Sequence, residues 1–527
     1  MTDFVHLHCH SEYSLLDGMS TPHEIANISS INGQYAAALT DHGTMGGVLK
    51  FQDACAKEGV KPLFGVEAYF VPSITTDEQT KYERFHLILL AKNNVGLNKL
   101  FKISQLGWTQ NFYYKPRIDF SLLEEVVDGD IIALSGCMGG AISKAIEAKN
   151  YAKAEQLTER FIKIFGDDFY FEIQAWNPKH LNDELIRLAK AYNKKVVATA
   201  DCHFPTHDHR GAEEVLLMVS QYPSLNAGDI RVAQNNLHVV QDKSIDIIGK
   251  MNAMYPERYL RFDEINPYIA NATTVHSWFK EVGYDNVEYL ENTMEVADKC
   301  TAKIQTKRNL LPKYSKVLDS NQYLREIAMF AIQTQNLGDE YRVRLEEELG
   351  IIEGLGFSDY FLIVWDLVKW ADKNGIGRGT GRGSVGGSVL AFLLDISAVD
   401  PLKYNLLFAR FINPERNDYP DIDLDFEDKR RGEVRNYLRE RWGEDNVAAI
   451  TTYGQFKPKS AVKDVARVFQ VPYQEINMIT PYFETIDELD TSEKGKIFNR
   501  QYPDVTKLAR TLEGRIRNAG VHAAGMV

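Results

Sequence analysis

Short apolar, β-branched runs recur along roughly the first two hundred residues of the chain, and segments with helical spacing separate most of them. Runs of this length are typical of buried strands. Strands that alternate with helices favour a parallel α/β architecture, and this many units favours a closed β/α barrel. The predicted strands span residues 4–7, 36–40, 62–71, 85–90, 131–134 and 196–200, with a seventh candidate at 169–173.

Side chains that commonly bind metals are concentrated at the ends of these predicted strands. The site of a β/α barrel gathers at the C-terminal ends of its strands. Imidazole, carboxylate and thiol groups converging there have the composition of a metal site. Any one of them alone is explained as well by a structural hydrogen bond, or for the cysteine by burial. The residues are His6, His8, His10, Asp41, His42, Glu67, His86, Cys137, Asp201 and His203, with Asp17 in a turn-like segment.

Acidic and apolar residues alternate strictly from Asp421 to Phe426. That period predicts a strand with Asp421, Asp423 and Asp425 on one face and apolar side chains on the other. Carboxylates two residues apart on a strand are roughly 6.5 Å apart and repel each other unless a cation lies between them. A pair of Mg²⁺ ions about 4 Å apart would supply that cation. An edge strand with acidic residues facing solvent is the alternative.

A glycine-rich segment, residues 377–388, precedes the acidic segment. Its glycines allow backbone N–H groups to approach phosphate oxygens closely. The apolar run 389–394 predicts a helix, so a phosphate is expected at that helix N-terminus. A phosphate-binding turn followed by paired carboxylates indicates metal-dependent nucleotidyl transfer.

The bulk composition, with 44% apolar and 25% charged residues, is that of globular domains, and the length allows about three of them. The net charge of −13 is unusual for a DNA-binding protein, but residues 429–467 hold ten basic and five acidic residues. Five scattered cysteines, no signal peptide and no apolar run long enough for a bilayer predict a cytoplasmic protein without a membrane partner.

Motifs in both halves of the chain resemble one family of proteins. The motifs at 381–384 (Gly-Arg-Gly-Ser), 411–416 (Phe-Ile-Asn-Pro-Glu-Arg) and 420–426 (Pro-Asp-Ile-Asp-Leu-Asp-Phe) together resemble the palm of the family C bacterial replicative DNA polymerases. The N-terminal half resembles the PHP domain of that family. Together the resemblance covers residues 4–527.

The PHP resemblance implies a trinuclear metal cluster with nine ligands, and every corresponding position here holds a competent ligand. It also implies a phosphoesterase, specifically a 3′–5′ exonuclease, that uses Zn²⁺ or Mn²⁺. His6 and Asp41 also lie at predicted strand ends and are excluded from the ligand set. The nine implied ligands are His8, His10, Asp17, His42, Glu67, His86, Cys137, Asp201 and His203.

The polymerase resemblance implies that Asp421 and Asp423 are catalytic and hold Mg²⁺, and Asp425 also matches the motif. Arginine suits triphosphate binding because its planar guanidinium donates bidentately and stays charged. The implied nucleotide-binding residues are Arg382, Gly383, Ser384, Arg410 and Arg416. Basic residues predicted to track DNA, or alternatively to form a merely solvated face, are Lys457, Lys459, Lys463 and Arg467.

The predicted fold is a multidomain α/β protein: a PHP-type distorted β/α barrel, a nucleotidyltransferase-like α+β palm and a mainly helical thumb. The predicted boundaries are 1–285 for the barrel, 286–450 for the palm with a linker near 303–316, 451–514 for the thumb, and 515–527 for a truncated return to the palm. We therefore expect polymerase activity to be absent from this chain by itself.

The resemblance implies DNA-templated DNA synthesis in chromosomal replication. The implied partners are primer–template DNA, deoxynucleoside triphosphates, and a sliding clamp and other replisome subunits bound through regions outside this chain. Two alternatives remain open: a stand-alone metal-dependent phosphoesterase or nuclease, and a non-catalytic scaffold that binds DNA and subunits.

Overall fold

The computed structural model describes residues 3–74, 83–306, 312–413, 415 and 419–527, which divide into two compact units. The first unit contains the chain up to Ile304 together with Thr452–Gly520, and the second contains Gln305–Thr451 and Val521–Val527. Among the described helices, none has the length and apolar character needed to cross a membrane. The domain boundaries near 285, 450 and 514 remain predictions, and residues 307–311 of the predicted linker lie outside the described residues.

The first unit is built on a sheet that has eight strands within the described residues. The long strand β2 pairs in parallel with β1 and β5 and in antiparallel with β3, and β6, β7 and β8 follow on the far side of β3. The strands are β1 Ala36–Leu39, β2 Lys61–Val71, β3 Phe85–Ala91, β4 Phe112–Tyr113, β5 Lys115–Asp119, β6 Ile131–Leu134, β7 Phe169–Gln174 and β8 Val196–Thr199.

The predicted first strand, 4–7, is extended backbone rather than a strand of the sheet. This segment and the residues after it nevertheless connect β1 with the end of β8. The Ala38 N–H of β1 donates to His6 O over 2.9 Å, and the Cys202 N–H after β8 donates to His8 O over 3.1 Å. The sheet thereby curls into the distorted barrel that the sequence predicts, although its strands are mixed in direction rather than all parallel.

Apolar side chains pack on both faces of this sheet. Val5, Ile88, Leu134 and Val197 belong to an interior cluster, and a second, larger cluster lies between the sheet and its helices. The helices before residue 305 are α1 Pro22–Ile31, α2 Val48–Glu58, α3 Asn94–Thr109, α4 Phe120–Val126, α5 Ala141–Glu147, α6 Tyr151–Phe165, α7 Lys179–Ala191, α8 Arg210–Gln221, α9 Ala227–Asn235, α10 His238–Gln241, α11 Ile247–Met254, α12 Ala272–Glu281 and α13 Glu288–Lys299.

The second unit is mainly helical, and its apolar core is formed by the first four of its helices together with the segment around Phe408 and Phe411. The glycine-rich and acidic segments lie at one side of this core, because Ile422 and Leu424 pack against it. The helices are α14 Ser320–Thr334, α15 Asp339–Leu355, α16 Ser358–Lys373, α17 Val389–Leu393 and α18 Arg431–Trp442.

Residues 452–520 return to the first unit and share a second core with α8 and α11. Phe456 and Val465 pack in the same cluster as Leu217 and Met251. Two strands, β9 Ala449–Gln455 and β10 Ile516–Met526, pair with each other and flank these helices in the chain. The helices are α19 Pro458–Val468, α20 Tyr473–Ile479, α21 Glu488–Thr491, α22 Glu493–Gln501 and α23 Pro503–Leu512.

Candidate metal centre and candidate nucleotidyl-transfer site

The nine residues predicted as metal ligands lie in one cluster in the first unit. Glu67 is at its centre: its carboxylate oxygens lie 2.6 Å from His42 Nδ1 and 2.8 Å from His86 Nδ1. On one side, His42 Nε2 lies 3.2 Å from Asp17 Oδ2, and His86 Nδ1 lies 3.4 Å from Cys137 Sγ.

The other half of the cluster is centred on Asp201. Its Oδ1 lies 3.0 Å from His8 Nε2 and 3.1 Å from His10 Nε2. The His203 ring stacks on the His10 ring with a centroid separation of 4.3 Å. Among the described residues, three groups could each hold a cation: His10, His42 and His203; His8, His10 and Asp201; and His42, Glu67 and His86.

Strand direction explains how these residues meet. Asp201 and His203 follow β8 and Cys137 follows β6, as expected for C-terminal strand ends. His86 instead lies near the start of β3, and Glu67 lies within β2. Because β3 runs antiparallel to both of its neighbours, its first residues reach the edge where the parallel strands end.

In three of the imidazoles, a hydrogen bond at Nδ1 orients the ring so that Nε2 faces the cluster. His8 Nδ1 lies 2.7 Å from Glu172 Oε1, and His203 Nδ1 lies 2.7 Å from the Asp201 backbone oxygen. Carboxylate and carbonyl oxygens accept hydrogen bonds, so each Nδ1 carries a proton and Nε2 is the nitrogen left for a cation. A second partner of this kind fixes both the tautomer and the orientation of a metal-binding ring.

His10 is oriented through a hydroxyl. The Ser14 hydroxyl donates to Asp41 Oδ1 over 2.8 Å and therefore accepts from His10 Nδ1 over 2.9 Å. Asp41 also accepts from the Ser11 backbone N–H over 2.7 Å. Asp41 therefore supports a ligand rather than being one.

His6 lies outside the cluster. Its Nε2 donates to the Ala270 backbone oxygen over 2.8 Å, and its Nδ1 lies 3.3 Å from Cys202 Sγ. Burial lowers the pKa of His6 to about 4, so the ring is neutral near pH 7. The side chains of His6 and Asp41 are thus committed to other hydrogen bonds, and their exclusion from the ligand set stays a prediction.

The electrostatics of the cluster depend on close contacts between opposite charges. Burial by itself lowers the pKa of His8, but Asp201, Glu172 and Glu67 together raise it well above its usual range. Burial by itself raises the pKa of Glu67, yet the imidazoles of His86, His42 and His8 hold it well below its usual range. Protons on the imidazoles thus neutralise the carboxylates, and bound cations would displace them.

Two further groups have strongly shifted pKa values. Burial, followed by the charge of His10, lowers the pKa of His203 to about 4, which keeps its imidazole neutral. Burial and the nearby Asp201 and Glu67 carboxylates raise the pKa of the Cys137 thiol well above its usual range. A cation beside the sulfur would reverse that effect and favour the thiolate.

The cluster fits divalent cations by its donor chemistry. The buried Asp17 Oδ1 has no hydrogen-bond partner among the described residues, and Glu67 Oε2 and Asp201 Oδ1 face imidazole nitrogens without a well-directed hydrogen bond. Buried acceptors without partners are costly, and a cation would satisfy several at once. Imidazole, carboxylate and thiol groups together are the ligands that transition metals prefer.

Glu172 supports the cluster and was not predicted from the sequence. It is fully buried on β7, accepts from His8 Nδ1, and receives further hydrogen bonds from Thr199 and Gln174. In the sequence of β7, Glu172 is only one of two polar residues, with Gln174, among aromatic and aliphatic side chains. Its pairing with His8, across 164 residues of chain, becomes visible only in the folded barrel.

Replacing Glu172 with Gln should lower metal affinity about 10- to 100-fold, which is typical for loss of an orienting carboxylate. The neutral amide accepts the His8 Nδ1–H bond less strongly and lowers the basicity of Nε2. Competition against a metal-sensitive chelating dye measures the affinity. Glu125→Gln, an exposed change on α4, is the control, and equal affinities for both variants would show that Glu172 has no such role.

In the second unit, the glycine-rich segment lies beside the acidic segment. The Gly379 N–H donates to Asp425 O over 2.9 Å, and Arg382 and Asp423 form an antiparallel bridge. The Arg382 side chain forms an ion pair with Asp425 over 3.3 Å. Gly381 and Gly383, which flank Arg382, have φ values of +80° and +78°, where a side chain would be strained.

The predicted strand at 420–426 is not formed as a continuous ladder. Two isolated antiparallel bridges, Arg382–Asp423 and Arg378–Phe426, replace it. The side chains nevertheless alternate between the two faces as predicted, since Asp421, Asp423 and Asp425 are exposed and the apolar residues between them are half-buried. An alternating pattern specifies which face is exposed to solvent. A regular hydrogen-bonded ladder also needs a partner strand, and the glycine-rich segment supplies only part of one.

The predicted helix at 389–394 is short, and its N-terminus is already occupied. The Val389 and Leu390 N–H groups donate to the Glu348 carboxylate over 2.9 and 3.1 Å, and the Ser388 hydroxyl donates to it over 2.8 Å. The expectation of a phosphate at this helix N-terminus is therefore wrong. The sequence shows the helix but not the acidic residue of α15 that folds against it.

Of the remaining predicted nucleotide-binding residues, the structure describes Ser384 and Arg410. Ser384 is exposed, and the turn Phe408–Arg410 packs against the turn Gly383–Gly387, which puts Arg410 in the neighbourhood of the glycine-rich segment. Arg416 lies outside the described residues. Their roles in nucleotide binding stay predictions.

The predicted DNA-binding residues lie on or beside α19. Lys457 is exposed just before the helix, and Lys463 is half-buried. Lys459 forms an ion pair with the exposed Glu484, which costs little to break. Arg467 instead bonds the buried carboxylate of Asp464, which holds it against the helix. A DNA-binding role for this face stays a prediction.

Comparison with known proteins identifies both regions. Residues 6–175 match the PHP domain family, and residues 313–527 match the bacterial DNA polymerase III alpha NTPase domain family. The chain thus joins a PHP domain to a domain of the bacterial DNA polymerase III alpha family, and the resemblance predicted from the sequence is confirmed.

Curated relatives match along the whole chain. The DNA polymerase III subunit alpha of Aquifex aeolicus is 36% identical over 584 residues, covering 100% of this chain and 48% of that protein. The protein of the same name from Borreliella burgdorferi is 35% identical over 544 residues, covering 99% of this chain and 44% of that protein. The chain therefore spans about half the length of the curated relatives it matches.

Among solved structures, a two-domain protein from Bacteroides vulgatus, described as containing a predicted PHP-like metal-dependent phosphoesterase, is 16% identical with a TM-score of 0.26. The match covers 39% of this chain and 53% of that one. The family assignment follows from the family models and the curated relatives.

Proposed function

We propose that the cluster of nine residues is a metal-dependent phosphoesterase centre that removes nucleotides from the 3′ end of DNA. The observation that carries this proposal is the convergence of imidazoles, carboxylates and a thiol around Glu67 and Asp201, at contact distances of 2.6–3.4 Å and largely buried. Zn²⁺ or Mn²⁺ suits such a mixed nitrogen, oxygen and sulfur donor set. The PHP family match supports the reaction class.

Divalent cations bound there would polarise a phosphoryl group and supply an activated water. The chain's own residues prepare the site for them. Glu172 fixes the ring of His8, and Asp41 fixes the ring of His10 through a serine hydroxyl, so that each Nε2 is aimed without further reorganisation. His203, neutral because of its lowered pKa, offers an uncharged nitrogen beside Asp201.

Metal removal tests this function directly. A 5′-labelled single-stranded oligonucleotide incubated with the chain and Mn²⁺ should shorten stepwise from its 3′ end. EDTA should abolish the shortening, and added Mn²⁺ should restore it, because the reaction depends on the bound cations. Shortening that persists after complete chelation would refute the proposal. Bound metal without any hydrolysis would favour the non-catalytic scaffold instead.

We further propose that the second unit contributes to DNA-templated DNA synthesis, with Asp421 and Asp423 holding Mg²⁺ for nucleotidyl transfer. Support comes from the pairing of the glycine-rich and acidic segments, which puts Arg382 beside exposed carboxylates. An arginine and exposed backbone N–H groups next to paired carboxylates can bind a triphosphate and its cations together. The curated relatives carry the name of a polymerase subunit.

The substrates and partners follow from that proposal. Primer–template DNA and deoxynucleoside triphosphates are the proposed substrates, and a sliding clamp and other replisome subunits are the proposed partners. Replication of a bacterial chromosome would place this activity in the cytoplasm. The stand-alone phosphoesterase alternative requires the first activity without the second. A primer-extension assay on a protein of the relatives' full length that contains this chain therefore separates the two.

A further inference from the structure

An exposed aromatic surface lies on the barrel beside the metal centre. It consists of Trp108, near the end of α3, and Phe112 and Tyr114 of the following hairpin, with 50%, 49% and 68% of each residue exposed. The Trp108 and Phe112 rings stack with a centroid separation of 5.3 Å and an interplanar angle of 19°. Large aromatic residues this exposed and this close together in the chain indicate a functional surface rather than scattered hydrophobic residues.

A direct hydrogen bond ties this aromatic surface to the metal centre. The Trp108 indole N–H donates to Gly43 O over 2.8 Å, and Gly43 follows the ligand His42 in the chain. Gly43 has φ +62°, and a Cβ there would lie 2.7 Å from Pro116 Cγ. The hairpin therefore packs against the backbone that carries His42.

A lysine links the aromatic surface to the cluster. The exposed Lys115 ammonium is 5.1 Å from the centre of the Tyr69 ring, and that ring stacks on the His42 imidazole at 5.7 Å. A positive charge one ring away from the ligands suits the phosphate next to the one that is cleaved. Exposed aromatic rings, a lysine and a metal centre lie next to one another here. This arrangement suits a single DNA strand, because its bases can stack on the rings while its phosphates contact the positive charge.

The backbone of Tyr114 is strained. Its φ of +58° lies in the left-handed region, which bulky residues occupy rarely and glycine or asparagine occupies easily. Its ring packs edge-on against Tyr113 with a centroid separation of 4.9 Å and leaves most of the residue exposed. Backbone outliers of this kind occur more often at functional sites than elsewhere.

We propose that Trp108, Phe112 and Tyr114 form a stacking platform for the unpaired 3′-terminal bases of a single DNA strand whose end enters the metal centre. This proposal rests on the phosphoesterase function proposed above and names its substrate as a frayed or single-stranded terminus. Paired bases hide their faces within the duplex, whereas unpaired bases can stack on exposed aromatic rings. The platform thereby selects unpaired ends over paired ones.

Fluorescence of a terminal base analogue tests the platform independently of hydrolysis. The probe is a single-stranded oligonucleotide with 2-aminopurine at its 3′ end, added to the full 527-residue chain. Ca²⁺ replaces Mn²⁺ so that the strand binds without being shortened. Stacking on Trp108 or Phe112 should quench the analogue strongly, and the same analogue at the 5′ end of the same sequence should be quenched much less.

Substitutions separate stacking from structural effects. Trp108→Ala and Phe112→Ala should each raise the apparent Kd obtained from 3′-end quenching about tenfold, because one aromatic–base contact is lost. Trp108→Phe should retain most of the effect, since it keeps a six-membered aromatic face and loses the pyrrole ring with its N–H. Tyr151→Ala, which removes an aromatic of 48% exposure on α6, is the matched control and should change nothing.

The outcomes also distinguish this proposal from the one on which it rests. Unchanged quenching in Trp108→Ala and Phe112→Ala, with 3′ hydrolysis intact, would overturn the platform while leaving the phosphoesterase in place. Platform-dependent quenching in a chain that hydrolyses nothing would support the binding surface and overturn the phosphoesterase. Quenching by duplex ends as strong as by single strands would contradict the selection of unpaired termini.

Discussion

Asp201→Asn should lower 3′-end hydrolysis about 100-fold or more and reduce the metal content of the purified chain. Asp201 Oδ1 lies within 3.1 Å of both His8 Nε2 and His10 Nε2, so it belongs to the half of the cluster that could share one cation. An amide removes the negative charge that holds this cation, and loss of one such electrostatic contact typically costs that much in rate. Timed degradation of a 5′-labelled oligonucleotide measures the effect.

Asparagine is the informative replacement at this position. Asp201 has φ +45°, and asparagine tolerates the left-handed region about as well as aspartate, so the backbone should keep its conformation. Asp285→Asn, an exposed aspartate outside the cluster, is the matched control and should keep full activity. Hydrolysis that survives in Asp201→Asn would point to a different centre or a contaminating nuclease.

Asp421→Asn and Asp423→Asn should each lower primer extension about 100-fold or more in a protein of the relatives' full length that contains this chain. Both side chains are exposed beside the glycine-rich segment, with no apolar packing role to lose. The neutral amides would weaken Mg²⁺ binding while leaving the half-buried residues between them unchanged. Extension of a labelled primer on a template measures the rate.

Two controls define the meaning of that result. Asp428→Asn, a few residues further along, is exposed and should extend primers at the unsubstituted rate. Hydrolysis at the 3′ end should be unaffected by Asp421→Asn and Asp423→Asn, because the nine-residue cluster lies in the other unit. Normal extension by both variants would remove these aspartates from the proposed polymerase site.

Much of the barrel was predictable because its strands are short apolar runs bounded by polar residues. The predicted strands at 131–134 and 169–173 agree with β6 and β7 within a residue. Strand direction was not predictable, since an apolar run reads the same in either direction, and β3 proved antiparallel. His86 joins the cluster for that reason, from the start of a strand rather than its end.

The residues that meet in the cluster were predictable from their types, although metal binding by them stays a prediction, and the residues that orient them were not predictable. Ligands such as His8 and Asp201 stand out by residue type, but Glu172 and Ser14 act through partners that only the fold brings close. The same limit applies to Glu348, which caps α17 from another helix 41 residues away. Long-range hydrogen bonds leave no periodic signal in a sequence, whereas burial and alternation do.

The sequence also does not predict which helices pack together. An example is the core that α8 and α11 share with the helices of residues 452–520. Helix α19 is amphipathic, and its apolar side, including Val462 and Val465, is buried. The sequence predicts such a face but not what covers it. Its partner, α8, lies far earlier in the chain, so only the fold reveals that these helices pack in the first unit.

Elemental analysis of the chain, purified without chelators, tests the metal centre most directly. We predict up to three divalent cations per chain, the number that the PHP resemblance implies for the nine residues, and a clear loss of metal in Asp201→Asn. Glu172→Gln should retain metal when it is supplied in excess and lose it on dilution, as expected for weakened affinity. A chain that is free of transition metal as purified, and that fails to bind added Zn²⁺ or Mn²⁺, would contradict the proposed centre.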